Sequence, residues 1–234
     1  MAGRGVGASG ERPPAHPDFG SWPSSGEELI ELQHRLARDA EAVVAGNPWV
    51  LPEQPLLGGC FVAFATGEAG PGKPGDRAWA AAVVWQADPS APAARRSPDD
   101  HLHGAVTDVP RRADDVLAQS VVASPVPAAY QPGLLALREG PILAAAVTAL
   151  GLRPGVLLVD ATGMDHPRRA GLAVQLGAVL ALPTVGVTQR SLRASGSWPD
   201  LRRGESAPVT LDGREVARWV CTRTGARPVL AHAA

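Results

Sequence analysis

The sequence is poor in aromatic residues and lysine, and it has no excess of either charge. Aromatic residues make up 4% of the 234 positions, Lys73 is the single lysine, and the formal net charge is -1 at pH 7. A globally basic surface, the usual footprint of a nucleic-acid-binding domain, is therefore excluded. Any such contact has to come from a local patch. Because 45% of the residues are hydrophobic, a core of alanine, valine and leucine is expected.

Cysteines are also scarce. Cys60 and Cys221 lie in apolar runs without metal-ligand spacing, which predicts two buried thiols in a reducing compartment. No segment is apolar for long enough to cross a membrane, and the amino terminus has no run suited to a signal peptide. These absences predict a cytoplasmic protein with no membrane partner. No pattern for self-association is present, so a monomer is expected.

Glycine and proline are abundant, with 26 and 23 residues, and they cluster outside the periodic segments. Residues 1–25 are rich in Gly, Pro and Ser, which predicts a disordered tail. Residues 87 to about 115 are polar and rich in Pro, Arg and Asp, which predicts an exposed insertion between two strands. The rest of the chain is predicted to form one domain over residues 26–231.

The periodic segments alternate between helix and strand patterns. Apolar residues recur at helical spacing from Glu27 to Val44, and Ser25 is a candidate cap. The later elements are predicted, in chain order, as strands 60–65, 78–85 and 116–123, helix 134–150, strand 155–160, helix 168–182, strand 183–187 and a hairpin over 209–221. Antiparallel strands followed by strand–helix–strand units predict an α/β fold with a mixed sheet flanked by helices.

Two carboxylates are candidates for a functional site. Asp160 ends the apolar run GVLLVD, and open α/β sheets place their sites beyond the carboxyl ends of the strands. The alternative is that Asp160 only caps the following turn. Glu139 lies near the start of a predicted helix, where it either stabilises the helix dipole or shares a divalent cation such as Mg²⁺ with Asp160.

The segment DATGMDHPRR follows that strand. Gly163 permits a tight turn, and Asp165 is predicted to be a surface turn residue. His166 either binds a phosphate or transfers a proton, or it is a solvated or structural loop residue. Arginines outnumber aspartates between residues 160 and 203, which favours a phosphate-binding patch and an ordinary solvated face about equally.

Two longer runs carry a family resemblance: YQPGLLALREGP and GVLLVDATGMDHPRRAGLAVQLGAVLALPTVGV. They resemble the PYIPG-type loop, the FRE helix start and the VDGxGxxHPRxxGLAxHLG segment of the endonuclease V family, in the same order and spacing. With weaker stretches, the resemblance covers roughly residues 27–230. It implies a ribonuclease H-like fold and a hydrolase that uses Mg²⁺, with Mn²⁺ as a substitute, to cut a phosphodiester near deoxyinosine in DNA or inosine in RNA.

The resemblance also implies roles for the residues at matching positions. Glu139 and Asp160 correspond to metal ligands, and His166 corresponds to a catalytic residue beside the scissile phosphate. All three are therefore predicted to belong to the reaction centre.

A second group is predicted to bind the substrate. Tyr130 and Pro132 correspond to a loop that wedges into the base stack next to the damage, and an exposed ring suits that use. Gly163 corresponds to a loop near the base pocket, where the backbone has to approach closely. Arg168, next to a predicted helix start, is expected to bind a phosphate.

Two positions depart from the family pattern. The strand that reads GVDVSY in the family reads GCFVAF here, which puts Phe61 in the place of a metal-binding Asp. A later strand ends GVAK or GVSK in the family and GVTQ here, so Gln189 replaces a lysine that helps hold phosphate charge. Two interpretations stay open: a metal-dependent endonuclease with full or reduced activity, and a nuclease-derived protein that binds such nucleic acid without cutting it. The neutral net charge favours a third, a protein-interaction module.

Overall fold

The computed structural model describes residues 22–46, 55–65, 72–86 and 116–234. The predicted insertion at 87–115, and all of the predicted tail before Trp22, lie outside these described residues. The described elements are α1 (Gly26–Gly46), β1 (Leu56–Phe64), β2 (Arg77–Gln86), β3 (Val116–Pro125), α2 (Leu135–Thr148), β4 (Val156–Val159), α3 (Leu172–Leu180), β5 (Thr184–Thr188), β6 (Ser206–Leu211), β7 (Arg214–Val220) and β8 (Val229–Ala233). No helix in this part of the chain is long and apolar enough to span a membrane.

One sheet contains all eight described strands in the order β3-β2-β1-β4-β5-β8-β7-β6. The pairs β1–β4 and β4–β5 are parallel, and the remaining pairs are antiparallel. The predicted mixed α/β sheet is therefore confirmed. The sequence did not predict β8, because five residues reading VLAHA are too few to show a period.

More buried and more exposed residues alternate along β2 and β3, at one end of the sheet, as in a sheet with one buried face. In β2 the buried positions are small or β-branched side chains: Ala78, Ala80, Ala82 and Val84. This face packs against α2, and short alanine side chains allow the helix to lie close to the strands. The core on this side consists mainly of alanine, valine and leucine, as the composition predicted.

The helix ends agree with the sequence at α1 and differ at α3. The Ser25 hydroxyl accepts a hydrogen bond of 3.2 Å from the backbone N–H of Glu28, which confirms the predicted cap. The start at Arg168 of the helix predicted over residues 168–182 is wrong, because α3 begins at Leu172. Arg169 adopts a φ of 55°, in the left-handed region that a helix does not contain, so the HPRR segment is a loop.

Two glycines let the loop after β4 lie tightly against its neighbours. A Cβ on Gly171 would sit 2.2 Å from the carbonyl oxygen of Thr162, and one on Gly186 would sit 2.3 Å from that of Ala161. Any side chain at either position would force the loop away from α3 or β5. The loop that follows Asp160 is therefore fixed in place by the strand and helix beside it.

Candidate active site

A cleft of about 250 Å³ opens beside the carboxyl end of β4, against α2 and the middle of β1. It is lined by Cys60, Phe61, Val62, Tyr130, Leu135, Glu139, Leu143 and Asp160. Three residues that the sequence singled out, Tyr130, Glu139 and Asp160, thus meet at one place. The structure also brings Phe61 to the same cleft.

Strand register explains why Phe61 and Asp160 are neighbours. Cys60 in β1 pairs with Val159 in β4, and the two strands are parallel. The next residue along each strand is therefore Phe61 and Asp160, at the same level of the sheet, where side chains point to the same face. Phe61 is 55% exposed, so its ring forms an open wall of the cleft.

The Glu139 carboxyl group lies in the second turn of α2, facing the cleft. Burial is the main cause that raises its pKa from 4.5 to about 7, and the negative charge of Asp160 raises it further against the opposing effect of Arg138. Two carboxyl groups that repel each other at the mouth of a cleft are arranged to share a cation or a proton. Near neutral pH, Glu139 is therefore about half protonated unless a cation is present.

Cys60 offers no further ligand in the cleft. Burial, followed by the charge of Asp160, raises the pKa of its thiol from 9.0 to about 12. The thiolate, which is the nucleophilic and metal-binding form, is thus absent at neutral pH. The prediction of a buried thiol is confirmed for Cys60 and also for Cys221.

Glu139 and Asp160 are two carboxylates that could contribute oxygen ligands to a divalent cation. Among the described residues no group of three or more His, Cys, Asp and Glu side chains is placed to bind a metal. Mg²⁺ often binds through one or two carboxylates and completes its shell with water and substrate phosphate. Glu139 and Asp160 therefore meet the minimum for such an ion, while the Phe61 ring contributes no oxygen on the third side.

Tyr130 lies on the loop between β3 and α2, and 43% of it is exposed. Arg138 holds the start of this loop, because its buried guanidinium donates a 2.9 Å hydrogen bond to the carbonyl of Ala128. The same guanidinium donates 2.9 Å and 2.8 Å bonds to the Lys73 carbonyl and the Asp76 carboxylate. Tyr130 is thus displayed from a loop that is anchored to the core.

His166 is buried, with 4% exposure, and does not line the cleft. Its Nδ1 accepts a 3.2 Å hydrogen bond from the backbone N–H of Arg168, and the ring is also hydrogen-bonded to the Gly133 backbone. Burial, followed by the positive charge of Arg168, lowers the pKa of His166 from 6.5 to about 4. The ring is therefore neutral at physiological pH.

The other predicted substrate-binding positions, Arg168, Gly163 and Pro132, do not line the cleft. Arg168 donates a 2.7 Å bond from Nη2 to the carbonyl of Gly133 and a second bond from Nε to Gln33. Gly163 is buried, and its carbonyl accepts a 3.0 Å bond from Gly171. Pro132 is exposed beside Tyr130.

The structure corrects the prediction made for Asp165. The sequence suggested a surface turn residue, but Asp165 is fully buried. Its carboxylate accepts three backbone hydrogen bonds, of 2.6, 2.8 and 2.8 Å, from Leu192, Arg193 and Ala194. The carboxylate thus stabilises the loop after β5, a long-range contact that no local pattern signals.

Gln189 is exposed at the start of that same loop, directly after β5. Because β4 and β5 are parallel neighbours, Gln189 lies at the same edge of the sheet as Asp160. The Gln189 carbonyl accepts a 2.9 Å bond from Arg227, so a guanidinium approaches the position where the family pattern has a lysine.

The arginine patch predicted between residues 160 and 203 is reduced by internal partners. Arg169 pairs with Asp212 at 2.7 Å, and Arg202 lies 3.3 Å from Asp200. Arg190 and Arg193 are exposed on the loop after β5. Two arginines of this stretch therefore face solvent on the same loop as Gln189.

Sequence reasoning missed two buried polar residues at this site, Gln33 and Arg138. Arg138 belongs to the LREGP run, and an arginine next to Glu139 in an otherwise apolar helix was an available signal. Gln33 lies in α1, about a hundred residues from the Gly133 carbonyl that it binds. Nothing in its local pattern distinguishes it from a solvated helix residue.

Comparison with known proteins identifies the family of the chain. The model of the Endonuclease V family matches residues 76–232. A relative named Endonuclease V from Streptomyces coelicolor is 41% identical over 114 residues, which is 49% of this chain and 49% of the relative. The chain thus spans about half the length of such relatives.

Solved structures extend the likeness to most of the chain. The crystal structure of Endonuclease V from Streptomyces avermitilis has a TM-score of 0.68 and 32% identity, and it covers 91% of this chain and 78% of its own. The Endonuclease V of Ciona intestinalis, solved in complex with a 24mer DNA containing an inosine followed by a ribo-adenosine, has a TM-score of 0.58 and 16% identity, and it covers 88% and 82%. The predicted ribonuclease H-like fold is confirmed. With the family model matched over two thirds of the sequence, and with Tyr130, Glu139 and Asp160 gathered at one cleft, the chain belongs to the Endonuclease V family.

Proposed function

We propose that this protein is an endonuclease of the endonuclease V type, which hydrolyses a phosphodiester near deoxyinosine in DNA or near inosine in RNA. The observation that carries the proposal is the meeting of Tyr130, Glu139 and Asp160 in one cleft. An exposed ring for stacking and a carboxylate pair for a cation are the two components that such a reaction needs in one place. The protein acts as a cytoplasmic monomer in this proposal.

Glu139 and Asp160 would hold Mg²⁺ or Mn²⁺ in the reaction. When bound, the ion supplies charge stabilisation at the phosphate oxygens and favours ionisation of water. The residues of the chain keep the two carboxylates close, and a bound cation favours the ionised form of Glu139, whose pKa is otherwise raised to about 7. Cleavage should therefore increase with pH through neutrality at a limiting concentration of the ion.

Tyr130 and Pro132 would enter the gap beside the modified base, where the ring stacks on a neighbouring base. Gly163 would lie near the base pocket. His166 stays predicted to lie beside the scissile phosphate. With a pKa of about 4 and its ring bonded to the backbone of Arg168, it would act there as a neutral group that supports the loop and not as a charged acid.

Family membership supports the choice of substrate, since the Ciona intestinalis relative was solved with DNA that contains an inosine. The test is a nicking assay on a labelled duplex with one deoxyinosine, and on the matched inosine RNA, with Mg²⁺ and then Mn²⁺. Metal-dependent nicks near the inosine, lost in Asp160→Asn and absent from an undamaged duplex, are expected. Folded protein that leaves both substrates uncut with both ions would refute the proposal.

A second candidate is a protein that binds inosine-containing or distorted nucleic acid without cutting it. Phe61 favours it, because an exposed ring beside Asp160 gives a base a surface for stacking and gives a cation no oxygen. Gln189 favours it as well, because an uncharged amide lies at the edge where a lysine would neutralise phosphate. This candidate predicts tight binding of an inosine duplex in anisotropy titrations together with no cleavage. No affinity at low salt would exclude it.

A further inference from the structure

The loop that carries Tyr130 is held at one backbone atom by side chains from two other parts of the chain. We define the wedge loop as residues 127–133. The carbonyl oxygen of Gly133, its last residue, accepts a 3.1 Å bond from Nε2 of Gln33 and a 2.7 Å bond from Nη2 of Arg168. The His166 ring is hydrogen-bonded to the same residue. Three side chains therefore converge on one peptide group.

Gln33 and Arg168 also bind each other, since Arg168 Nε donates to Gln33 Oε1. Gln33 is 1% exposed and comes from α1, whereas Arg168 comes from the loop after β4. Each side chain thus fixes the other and both hold the loop. Burial strengthens the arrangement, because a buried amide or guanidinium left without its partner costs more free energy than its bond contributes.

Gly133 has the backbone conformation and the free space that this contact requires. Its φ is +78°, and a Cβ at this position would sit 3.0 Å from Nη2 of Arg168. Glycine therefore permits both the left-handed backbone and the close approach of the guanidinium. At the other end of the loop, Arg138 binds the carbonyl of Ala128 at 2.9 Å. Tyr130 lies between two anchored points.

We propose that Gln33 and Arg168 are positioning residues, which hold the wedge loop so that the Tyr130 ring stands ready to enter a gap in a base stack. The proposal rests on the proposed function for its substrate. A loop that is ordered before binding loses less conformational entropy on binding. The gain in affinity applies to damaged nucleic acid, because only a weakened base stack opens to admit the Tyr130 ring. Gln33 lies outside the residues that the family model matches, 76–232.

The first test uses the fact that Tyr130 is the single tyrosine of the chain. Incorporation of 3-fluorotyrosine gives one ¹⁹F resonance, which reports on the wedge loop in the free protein. In the wild type we expect one sharp line. In Gln33→Leu we expect the line to broaden or split, while the same change at an exposed position on β3, Gln119→Leu, leaves it sharp.

The second test measures binding to matched duplexes with and without one deoxyinosine. Gln33→Leu should weaken binding to the deoxyinosine duplex by about ten-fold, the size expected for one lost buried hydrogen bond, and leave the undamaged duplex unchanged. Gln33→Glu keeps the acceptor for Arg168 and should recover part of both signals. A line that stays sharp in Gln33→Leu, with unchanged duplex preference, would overturn the proposal.

Arg168→Lys separates positioning from direct contact with phosphate. Lysine keeps the charge but cannot bind Gly133 and Gln33 together, so we expect the same broadening and the same selective ten-fold loss. A sharp line together with weaker binding of both duplexes would mean that Arg168 contacts phosphate, and would refute its positioning role. If the wild type bound no inosine duplex, the proposed function would fail while the ¹⁹F comparison still decided whether the loop is held.

Discussion

The two sides of the cleft differ in how completely they are built. On the wedge side, Tyr130 stands on a loop that Arg138, Arg168 and Gln33 hold through buried hydrogen bonds. On the metal side, two carboxylates face an exposed phenylalanine ring, and an uncharged Gln189 ends the neighbouring strand. In the proposed function, recognition of a distorted base stack and placement of a cation would therefore rest on separate sets of residues.

The residues on the wedge side and those on the metal side are under different structural constraints. The wedge-side groups are buried and interlocked, so that replacing one leaves polar partners without bonds. Phe61, within β1, and Gln189, directly after β5, are both exposed, and side chains at such positions can change with little effect on packing. The metal side can thus change while the fold and the wedge side stay intact.

The largest effect is expected on the wedge side, at Arg138. Its side chain is 5% exposed and lies 2.8 Å from Asp76, whose side chain is 12% exposed. Arg138→Met should lower the free energy of unfolding by about 3–5 kcal/mol, because it removes the ion pair with Asp76 together with the hydrogen bonds to the carbonyls of Lys73 and Ala128. Urea denaturation measures this loss. Arg202→Met removes an exposed pair with Asp200 and serves as the control, with a change of at most about 1 kcal/mol. Equal losses in the two variants would contradict the structural role assigned to the buried contacts of Arg138.

The next largest effect is a gain of activity in Phe61→Asp. A third carboxylate next to Asp160 should raise the rate of metal-dependent cleavage of a deoxyinosine duplex by about 100-fold at limiting Mg²⁺. Because residue 61 is exposed, the new charge stays solvated, and the melting temperature should change by only a few degrees, about 1 kcal/mol or less. Phe61→Leu is the apolar control and should leave the rate unchanged. A folded Phe61→Asp protein without any gain would mean that the side chain at 61 does not reach the cation.

A smaller effect is expected from Glu139→Gln, and it depends on pH. Since the pKa of Glu139 in the folded protein is raised from 4.5 to about 7, its contribution to stability is fully present below about pH 4.5 and is lost as the pH rises through 7. Glutamine mimics the protonated form. In EDTA, the variant should match the wild type near pH 4.5 and exceed it by on the order of 2 kcal/mol at pH 8.

Addition of Mg²⁺ at pH 8 tests whether Glu139 is a ligand of the cation. The cation should raise the melting temperature of the wild type and have little effect on Glu139→Gln, because only the carboxylate binds it. An identical response of both proteins to Mg²⁺ would show that Glu139 is not a ligand.

The smallest effect is expected from Gln189→Lys. A positive charge at the edge of the sheet should strengthen binding of any duplex several-fold and steepen the dependence of log Kd on log salt by about one unit. Gln119→Lys, on β3, adds the same charge at an exposed position of another strand and serves as the control. If both lysines had the same effect, the phosphate backbone would not pass the end of β5.

Several features of the fold and the site were readable from the sequence because they depend on local patterns. The run GVLLVD predicted a buried strand that ends in a carboxylate, and Asp160 does lie at the end of β4. The family motifs assigned Tyr130 and Glu139 to one site, and both line the same cleft. The register of β1 with β4 makes Phe61 a neighbour of Asp160.

Other features depend on contacts between segments that are distant in the sequence, and no local pattern predicts them. Asp165 resembles a solvated turn residue in sequence, and only the fold brings the N–H groups of the loop after β5 to its carboxylate. Gln33 binds a carbonyl a hundred residues away. The helix predicted from Arg168 begins only at Leu172, because Arg169 adopts a left-handed backbone conformation.

One measurement separates the two sides of the cleft most directly: binding of the wild-type protein to a deoxyinosine duplex and to an undamaged duplex, in EDTA, by fluorescence anisotropy. Recognition that rests on Tyr130 and its held loop needs no cation. We therefore expect a preference of about ten-fold or more for the deoxyinosine duplex, equivalent to about 1.4 kcal/mol, and its loss in Tyr130→Ala. Equal affinity for both duplexes without metal would contradict an intact recognition side.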